Sequence, residues 1–316
     1  MWLSMKKEAE NIIVASALHM IEKNITLEST IDLSKNNLAI GFFDGLHLGH
    51  RAILNEEKED GQQLSLLTFD VEQLGAFKKD ALTIYTNAER ALLFSEARIE
   101  SIFVLPFDIR TQNASKEDFL AFLQRLTPHR VLVGEDFRFG KGALGKAEDI
   151  RKAFPEKEVR ILPLLCDEKG KISSSRIRSL LSEGDIENAN RLLGRPYFVI
   201  GNVVHGRHNG HRLGFPTANL VLVNGKAYPS EGVYKTRTFV DGKVYPSMTN
   251  IGTHPTIDET VRKTLETHIH GFSGDLYGRS IRVEFLSRLR DQMRFSSAED
   301  LENQLKEDLR RILSDA

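Results

Sequence analysis

The sequence predicts a parallel, Rossmann-like α/β domain followed by an antiparallel β-domain, a barrel, with a C-terminal helix. Three observations lead there. The first half alternates short apolar runs with amphipathic segments, the second half is a series of β-rich runs separated by Gly, Asp and Asn, and the chain closes on one helical periodicity. At 316 residues it exceeds what a single core usually serves, so two domains are expected, 1–184 and 185–316.

In the first half, Leu38 to Phe43 is an apolar run ending at the turn signal Asp44-Gly45, and Leu64 to Phe69, Ile102 to Phe107, Arg130 to Val133 and Val159 to Leu165 are further strand candidates. Between them, Ser115 reads as an N-cap with Asp118 three residues on, and Phe119, Phe122, Leu123 and Leu126 fall on one helical face. Strands alternating with helices favour a parallel sheet covered on both sides, with ligands beyond the carboxyl ends of the strands. The segment Ser175 to Leu193 reads as one helix carrying the linker. After Gly184, runs at Tyr197–Val204, Gly232–Val240, Lys243–Asn250, Thr264–His270 and Ser280–Phe285 follow, with Asp241-Gly242 as a hairpin signal. Leu301, Leu305, Leu309 and Ile312 give the closing helix, Ala298 to Leu313, its apolar stripe.

Composition narrows the function classes. Hydrophobic residues make up 41% and charged residues 28%, ordinary for a globular protein, and the formal net charge of −1 exerts no global pull toward nucleic acid or anionic membranes. The single cysteine, Cys166, excludes an internal disulfide and a Cys-rich zinc site. No apolar run approaches a membrane span, and Met1 to Lys7 is followed by charge rather than an apolar signal core, so a cytoplasmic protein is expected.

The string Gly214-Phe215-Pro216-Thr217-Ala218-Asn219-Leu220 is the most informative. In an extended stretch after a fixed proline, Thr217 and Asn219 project from one face and offer a hydroxyl and an amide oxygen, neutral ligands suited to Mg²⁺. The preceding basic loop, His205 to Leu213, carries Gly206 and Gly210, where phosphates can approach the backbone. The alternative is a Pro-initiated turn entering a strand. In the first half, Gly45, His47, Gly49 and His50 sit where a strand gives way to a helix, so backbone N–H groups and two imidazoles three apart can meet a triphosphate. The alternative there is an Asp-Gly turn with surface histidines. Asp136, Phe137 and Gly140 belong to a glycine-bearing loop after Arg130–Val133, and Ser173, Ser174 and Arg178 place hydroxyls and a guanidinium at a helix start, a candidate phosphate clamp.

In this order the motifs resemble the bifunctional prokaryotic riboflavin kinase/FAD synthetase family, over about residues 36 to 312. They are Gly45 to His50, Gly134 to Gly140, Ile172 to Arg178, Leu193 to Tyr197, Leu213 to Leu220, Asn250 to Thr256, Leu265 to Ile269 and Gly274 to Gly278. The resemblance implies a nucleotidyltransferase domain that transfers AMP from ATP to FMN, giving FAD, and a barrel that phosphorylates riboflavin to FMN. It further implies that Thr217 and Asn219 hold Mg²⁺ and nucleotide phosphates, that Glu266 is the general base, and that Arg290 and Phe295 help cover the flavin. Without the resemblance, Glu266 reads as an exposed strand carboxylate. Asp275, Tyr277 and Arg288 read as turn or surface residues. The implied partners are flavins and ATP, with neither nucleic acid nor membrane, in a monomer or weak homo-oligomer.

The chain departs from the family pattern Thr-Phe-x-Pro-His-Pro, reading Thr68-Phe69-Asp70-Val71-Glu72-Gln73, so a carboxylate stands in place of the imidazole. Phe42 and Ser175 stand where Asn and Thr are usual. Two alternatives to the bifunctional enzyme follow: a riboflavin kinase with a weakened or inactive adenylyltransferase domain, and a non-catalytic flavin-binding regulator.

Overall fold

The computed structural model describes residues 21–55, 62–71, 82–97, 99–206, 214–255 and 261–314. It divides into two compact units, one within Val14–Ser174 and one within Ser175–Ala316.

The first unit is built on six parallel strands: β1 (Ile21–Asn24), β2 (Asn36–Ile40), β3 (Gln63–Phe69), β4 (Ser101–Leu105), β5 (Arg130–Gly134) and β6 (Glu158–Leu162), in the order β1-β4-β3-β2-β5-β6. Leu66 and Leu67, and Val131, Leu132 and Val133, are all fully buried, which explains why these strands read as continuous apolar runs rather than alternating ones. Helices α1 (Leu48–Asn55), α2 (Asn87–Glu96), α3 (Ile109–Asn113), α4 (Lys116–Arg125) and α5 (Ala147–Ala153) connect them. Ser115 and Asp118 form the reciprocal capping box of α4, which buries Phe119, Phe122 and Leu123 against the sheet. The order reverses at β2, whose neighbours are β3 and β5, so the carboxyl edge there is the switch point at which sheets of this kind bind ligands. Strand β1 was not legible as an element, being a four-residue edge strand with three charged or polar positions.

In the second unit, β7 (Tyr197–Val204), β8 (Thr217–Leu220), β9 (Gly232–Val240), β10 (Lys243–Pro255), β11 (Val261–Ile269) and β12 (Ser280–Arg290) form a closed antiparallel barrel, ordered β7-β8-β11-β10-β9-β12. Asp241 and Gly242 join β9 to β10 with φ of 50° and 74°, the left-handed pair that a two-residue hairpin needs. Strands β10 and β12 outrun their apolar stretches because the ladder continues, Gly252 pairing with Thr264 and Arg290 with Val233.

The expected single helix at 175–193 is two: α6 (Ser174–Glu183) and α7 (Ile186–Leu193). Gly184 breaks it at φ 77°, where a side chain would also meet Ser230 and Arg288, and Asp185 restarts it by accepting the Asn188 N–H at 3.2 Å. The last helix, α8 (Ala298–Ser314), packs Leu305, Leu309 and Ile312 on Phe215, Val233 and Met248 of the barrel.

Candidate active sites

In the barrel, strand alternation buries Ala218 and Leu220 and leaves Thr217 and Asn219 on the opposite face, as expected of an extended stretch. Across the ladder Thr217 lies opposite His268 and Asn219 opposite Glu266; on the other side of Glu266, Asn250 of β10 is in register. Glu266 therefore sits between two carboxamides on neighbouring strands. Gly206 backs this row, since a Cβ there would lie 2.3 Å from Asn219 Nδ2. Gly214 turns the chain into Phe215 with φ 77°. Gly210 and the rest of 207–213 lie outside the described residues.

Two cavities meet at Thr217. One, of about 510 Å³, is lined by Thr217, Asn219, Thr267, Phe272 and Tyr277. The other, of about 310 Å³, is lined by Thr217, Glu266, His268, Arg290, Phe295 and Leu305 among others. Tyr277 is stacked by His205 at 3.7 Å, and Asp275 accepts the Tyr277 N–H at 2.9 Å, the turn role expected of it. Arg288 donates to the Glu183 and Glu231 carbonyls at 3.1 and 2.8 Å, bracing the chain around Gly184. Arg290 donates from Nε to Asp308 at 2.8 Å, and Gln304 donates to the other oxygen of that fully buried carboxylate at 2.9 Å.

His268 Nδ1 lies 3.0 Å from the Pro216 carbonyl. A carbonyl only accepts, so Nδ1 carries the hydrogen and holds the backbone immediately before Thr217. Burial pushes the His268 imidazole below its ordinary range, with the Pro216 carbonyl opposing and His270 adding slightly to the shift.

In the first unit, the turn after β2 is contorted: Phe43, Gly45 and Leu46 have φ of 50°, 87° and 42°. The turn sets His47 at the head of α1, where its Nδ1 accepts the His50 N–H at 3.3 Å, and the two rings stack at 3.7 Å. Gly49 is pressed on the His47 ring, which a Cβ would meet at 3.2 Å. Ser174 Oγ donates to the Asp44 carbonyl at 2.7 Å, and Lys171 pairs with Asp136. The turn after β2, the Lys171–Ser174 segment and the loop after β5 thus form one rim, joining three pieces that sequence placed at separate strand ends. Ser173 lies in that segment. Phe137 stacks on Phe139 at 5.9 Å and packs into the core, and Gly140 (φ 71°) lies against the backbone of Lys116, so both serve the loop's own packing. Arg178 belongs to the second unit, where it donates to Ser175 Oγ at 3.1 Å.

Sequence reasoning missed a buried brace beside this rim. Arg90 donates to the Phe42 and Phe69 carbonyls at 2.6 and 3.0 Å, tying together the ends of β2 and β3. Asn87 donates to Asp70 at 2.6 Å and accepts the Val71 N–H at 3.3 Å. The Asp70 carboxylate is thereby engaged by the protein itself. Phe42 stacks on Phe69 at 4.6 Å and edges onto Phe107 at 5.3 Å. Glu72 and Gln73 lie outside the described residues. In the barrel, His268 and Asn250 fell inside motif strings without being given a role, although Glu266 and His268, two apart on a strand, necessarily share a face.

Comparison with known proteins divides along the same line. Residues 30–176 match the family model described as FAD synthetase, and residues 193–314 the one described as riboflavin kinase. The bifunctional riboflavin kinase/FMN adenylyltransferase of Bacillus subtilis (strain 168) is 32% identical over 286 residues, covering 87% of this chain and 90% of that one. Its counterpart in Escherichia coli (strain K12) is 34% identical over 282 residues, covering 86% and 90%. A crystal structure from Streptococcus pneumoniae, described as a macrolide-efflux protein, superposes with a TM-score of 0.83 at 32% identity, covering 92% of this chain and 98% of that one. Among the described residues of the present chain, no helix is long and apolar enough to cross a membrane.

Proposed function

This chain belongs to the bifunctional riboflavin kinase/FMN adenylyltransferase family, and from that premise we propose that it makes FMN from riboflavin and ATP, then FAD from FMN and a second ATP. The kinase step is assigned to residues 185–316 and the adenylyltransferase step to 1–184. The observation that carries the reading is the pair of cavities sharing Thr217, with Asn219 lining one and Glu266 the other.

Nucleotide in the larger cavity and riboflavin in the smaller would bring the γ-phosphate and the terminal ribityl hydroxyl together at Thr217. Glu266 accepts the hydroxyl proton as the oxygen bonds to the γ-phosphorus, and the bond to the departing ADP breaks. Thr217 and Asn219 would hold Mg²⁺. Two neutral oxygens suit an ion shared with substrate phosphates, and the described residues contain no cluster of three acidic, His or Cys groups that would cage it alone. Bound there, the ion supplies neutralisation of phosphate charge. Most of the rate gain comes from this and from positioning.

For the second step, an FMN phosphate oxygen attacks the α-phosphorus of ATP and pyrophosphate leaves. His47 and His50, with Gly45, Gly49, Ser173 and Ser174 on the same rim, are assigned to the triphosphate, Asp136 to the rim's far side, and Arg178 to the phosphates. His47 accepts the His50 N–H through Nδ1, so its ring hydrogen lies on Nε2, and we assign that N–H to the phosphates. We assign the protein to the cytoplasm, as a monomer or weak homo-oligomer acting on small molecules rather than nucleic acid.

Riboflavin, ATP and Mg²⁺ followed by chromatography test the reading. FMN appearing first and FAD next, with ADP and pyrophosphate, is the expected outcome. FMN alone would leave a kinase, and neither product would leave a flavin-binding protein without turnover.

A further inference from the structure

We propose that Asn250 recognises the polyol chain of riboflavin through its amide N–H, and that Gln292 sets which atom of Asn250 the chain meets; this rests on the kinase reading above. The orientation follows from hydrogen-bond chemistry. One side-chain atom of Gln292 lies 2.8 Å from the Ile251 carbonyl and 2.6 Å from the Asn250 side chain. The carbonyl only accepts, so that atom is Nε2. Its second hydrogen needs an acceptor, so the near atom of Asn250 is Oδ1. Gln292 thereby occupies the oxygen of Asn250, and the amide's donor hydrogens are what it offers the cavity.

The cavity is divided in polarity. Met293, Phe295, Leu301 and Leu305 line one part and suit a flat aromatic ring, while Thr217, Asn250, Glu266 and His268 line the other. With the terminal hydroxyl at Glu266, the neighbouring hydroxyls of the chain pass the adjacent cross-strand position, about 5 Å away, which Asn250 occupies. A donor is the fitting group there. An acceptor would compete with Glu266 for hydroxyl hydrogens and could turn the attacking oxygen's lone pairs away from phosphorus. A donor binds the neighbouring hydroxyl through its oxygen and leaves the proton transfer to Glu266.

The experiment compares kcat/KM for riboflavin and for an analogue lacking the hydroxyl next to the terminal one, in wild type, Asn250→Leu and Gln292→Glu. A carboxylate at 292 cannot donate to Ile251 or to Asn250 Oδ1, so it draws the Asn250 N–H toward itself and presents Oδ1 to the cavity. The wild type should prefer riboflavin by about tenfold or more, since a site built to bind a hydroxyl rejects the analogue without it. Both variants should lose about tenfold to a hundredfold on riboflavin, the scale of one buried hydrogen bond, while the analogue is little affected and the KM for ATP stays within about twofold. Gln292 is exposed, so its substitution keeps the test alive if Asn250→Leu fails to fold. Preference for riboflavin surviving in a folded variant, or equal losses on both substrates, would overturn the assignment of Asn250. A wild type that makes no FMN at all would overturn the kinase reading together with it.

Discussion

A methyl group at position 206 would lie 2.3 Å from Nδ2 and 2.8 Å from Oδ1 of Asn219. Gly206 is not in the left-handed region, so alanine is acceptable to the backbone and its effect is purely on that amide. Gly206→Ala is expected to lower FMN formation by about tenfold or more through displacement of one Mg²⁺-side oxygen, at a stability cost of about 1–3 kcal/mol typical of overpacking. Steady-state rates for FMN formation and for adenylation of supplied FMN check it; a drop confined to adenylation would contradict it. His268 makes a second residue-scale prediction. Its folded pKa lies below the ordinary 6.5, so the folded state binds fewer protons than the unfolded one between the two values. The stabilisation is complete above about pH 6.5 and is lost as pH falls from there toward the folded pKa. His268→Gln, which keeps a donor for Pro216 and cannot titrate, should flatten that part of the stability-against-pH curve in denaturant titrations. Period-2 alternation made the shared face of Thr217 and Asn219 legible in the sequence. That Gly206 presses on Asn219, or that His268 holds Pro216, was not, because both contacts depend on which strands pair and in what register.

At the scale of elements, α8 is the wall of the smaller cavity, and one buried ion pair fixes it. Asp308 is fully buried on α8 and pairs with Arg290 at the end of β12. Removing the acid strands a mostly buried guanidinium. Asp308→Ala should therefore destabilise the barrel by about 3 kcal/mol and raise the KM for riboflavin more than that for ATP. Thermal unfolding and the two KM values check this, and an equal rise in both KM values would argue against α8 as a flavin wall. The leucine stripe of α8 was visible as a period of three and four, whereas Asp308, an ordinary acidic position on a helix, carried no sign of burial. The break between α6 and α7 was equally hidden. Gly184 could be read as a flaw within a helix, and only the approach of Ser230 and Arg288 shows why no side chain fits there. The turn after β2 is the opposite case: Asp44-Gly45 announced it, although the left-handed Phe43 and Leu46 did not.

For the whole molecule, Thr217, Asn219 and Glu266 fall within one compact unit, and His47 and His50 within the other. The two activities should then separate by mutation. Asn219→Ala is expected to abolish FMN formation and leave adenylation of supplied FMN intact. His50→Ala is expected to slow adenylation by about tenfold to a thousandfold, the range for one positioned charge stabiliser, and leave FMN formation intact. Parallel loss of both steps in either variant would show that the sites are coupled. Sequence alone determined the two-part plan, because strand and helix periodicities and turn residues are local properties of the chain. It also determined the motif strings, whose chemistry resides in residue type and short spacing. Tertiary structure decided which of those residues meet. The flanking of Glu266 by Asn219 and Asn250, the joining of Asp44, Ser174, Lys171 and Asp136 into one rim, and the Arg90 brace all depend on strand order and register. Those are set by long-range packing, in which a one-residue slip would turn every side chain of a strand to its other face.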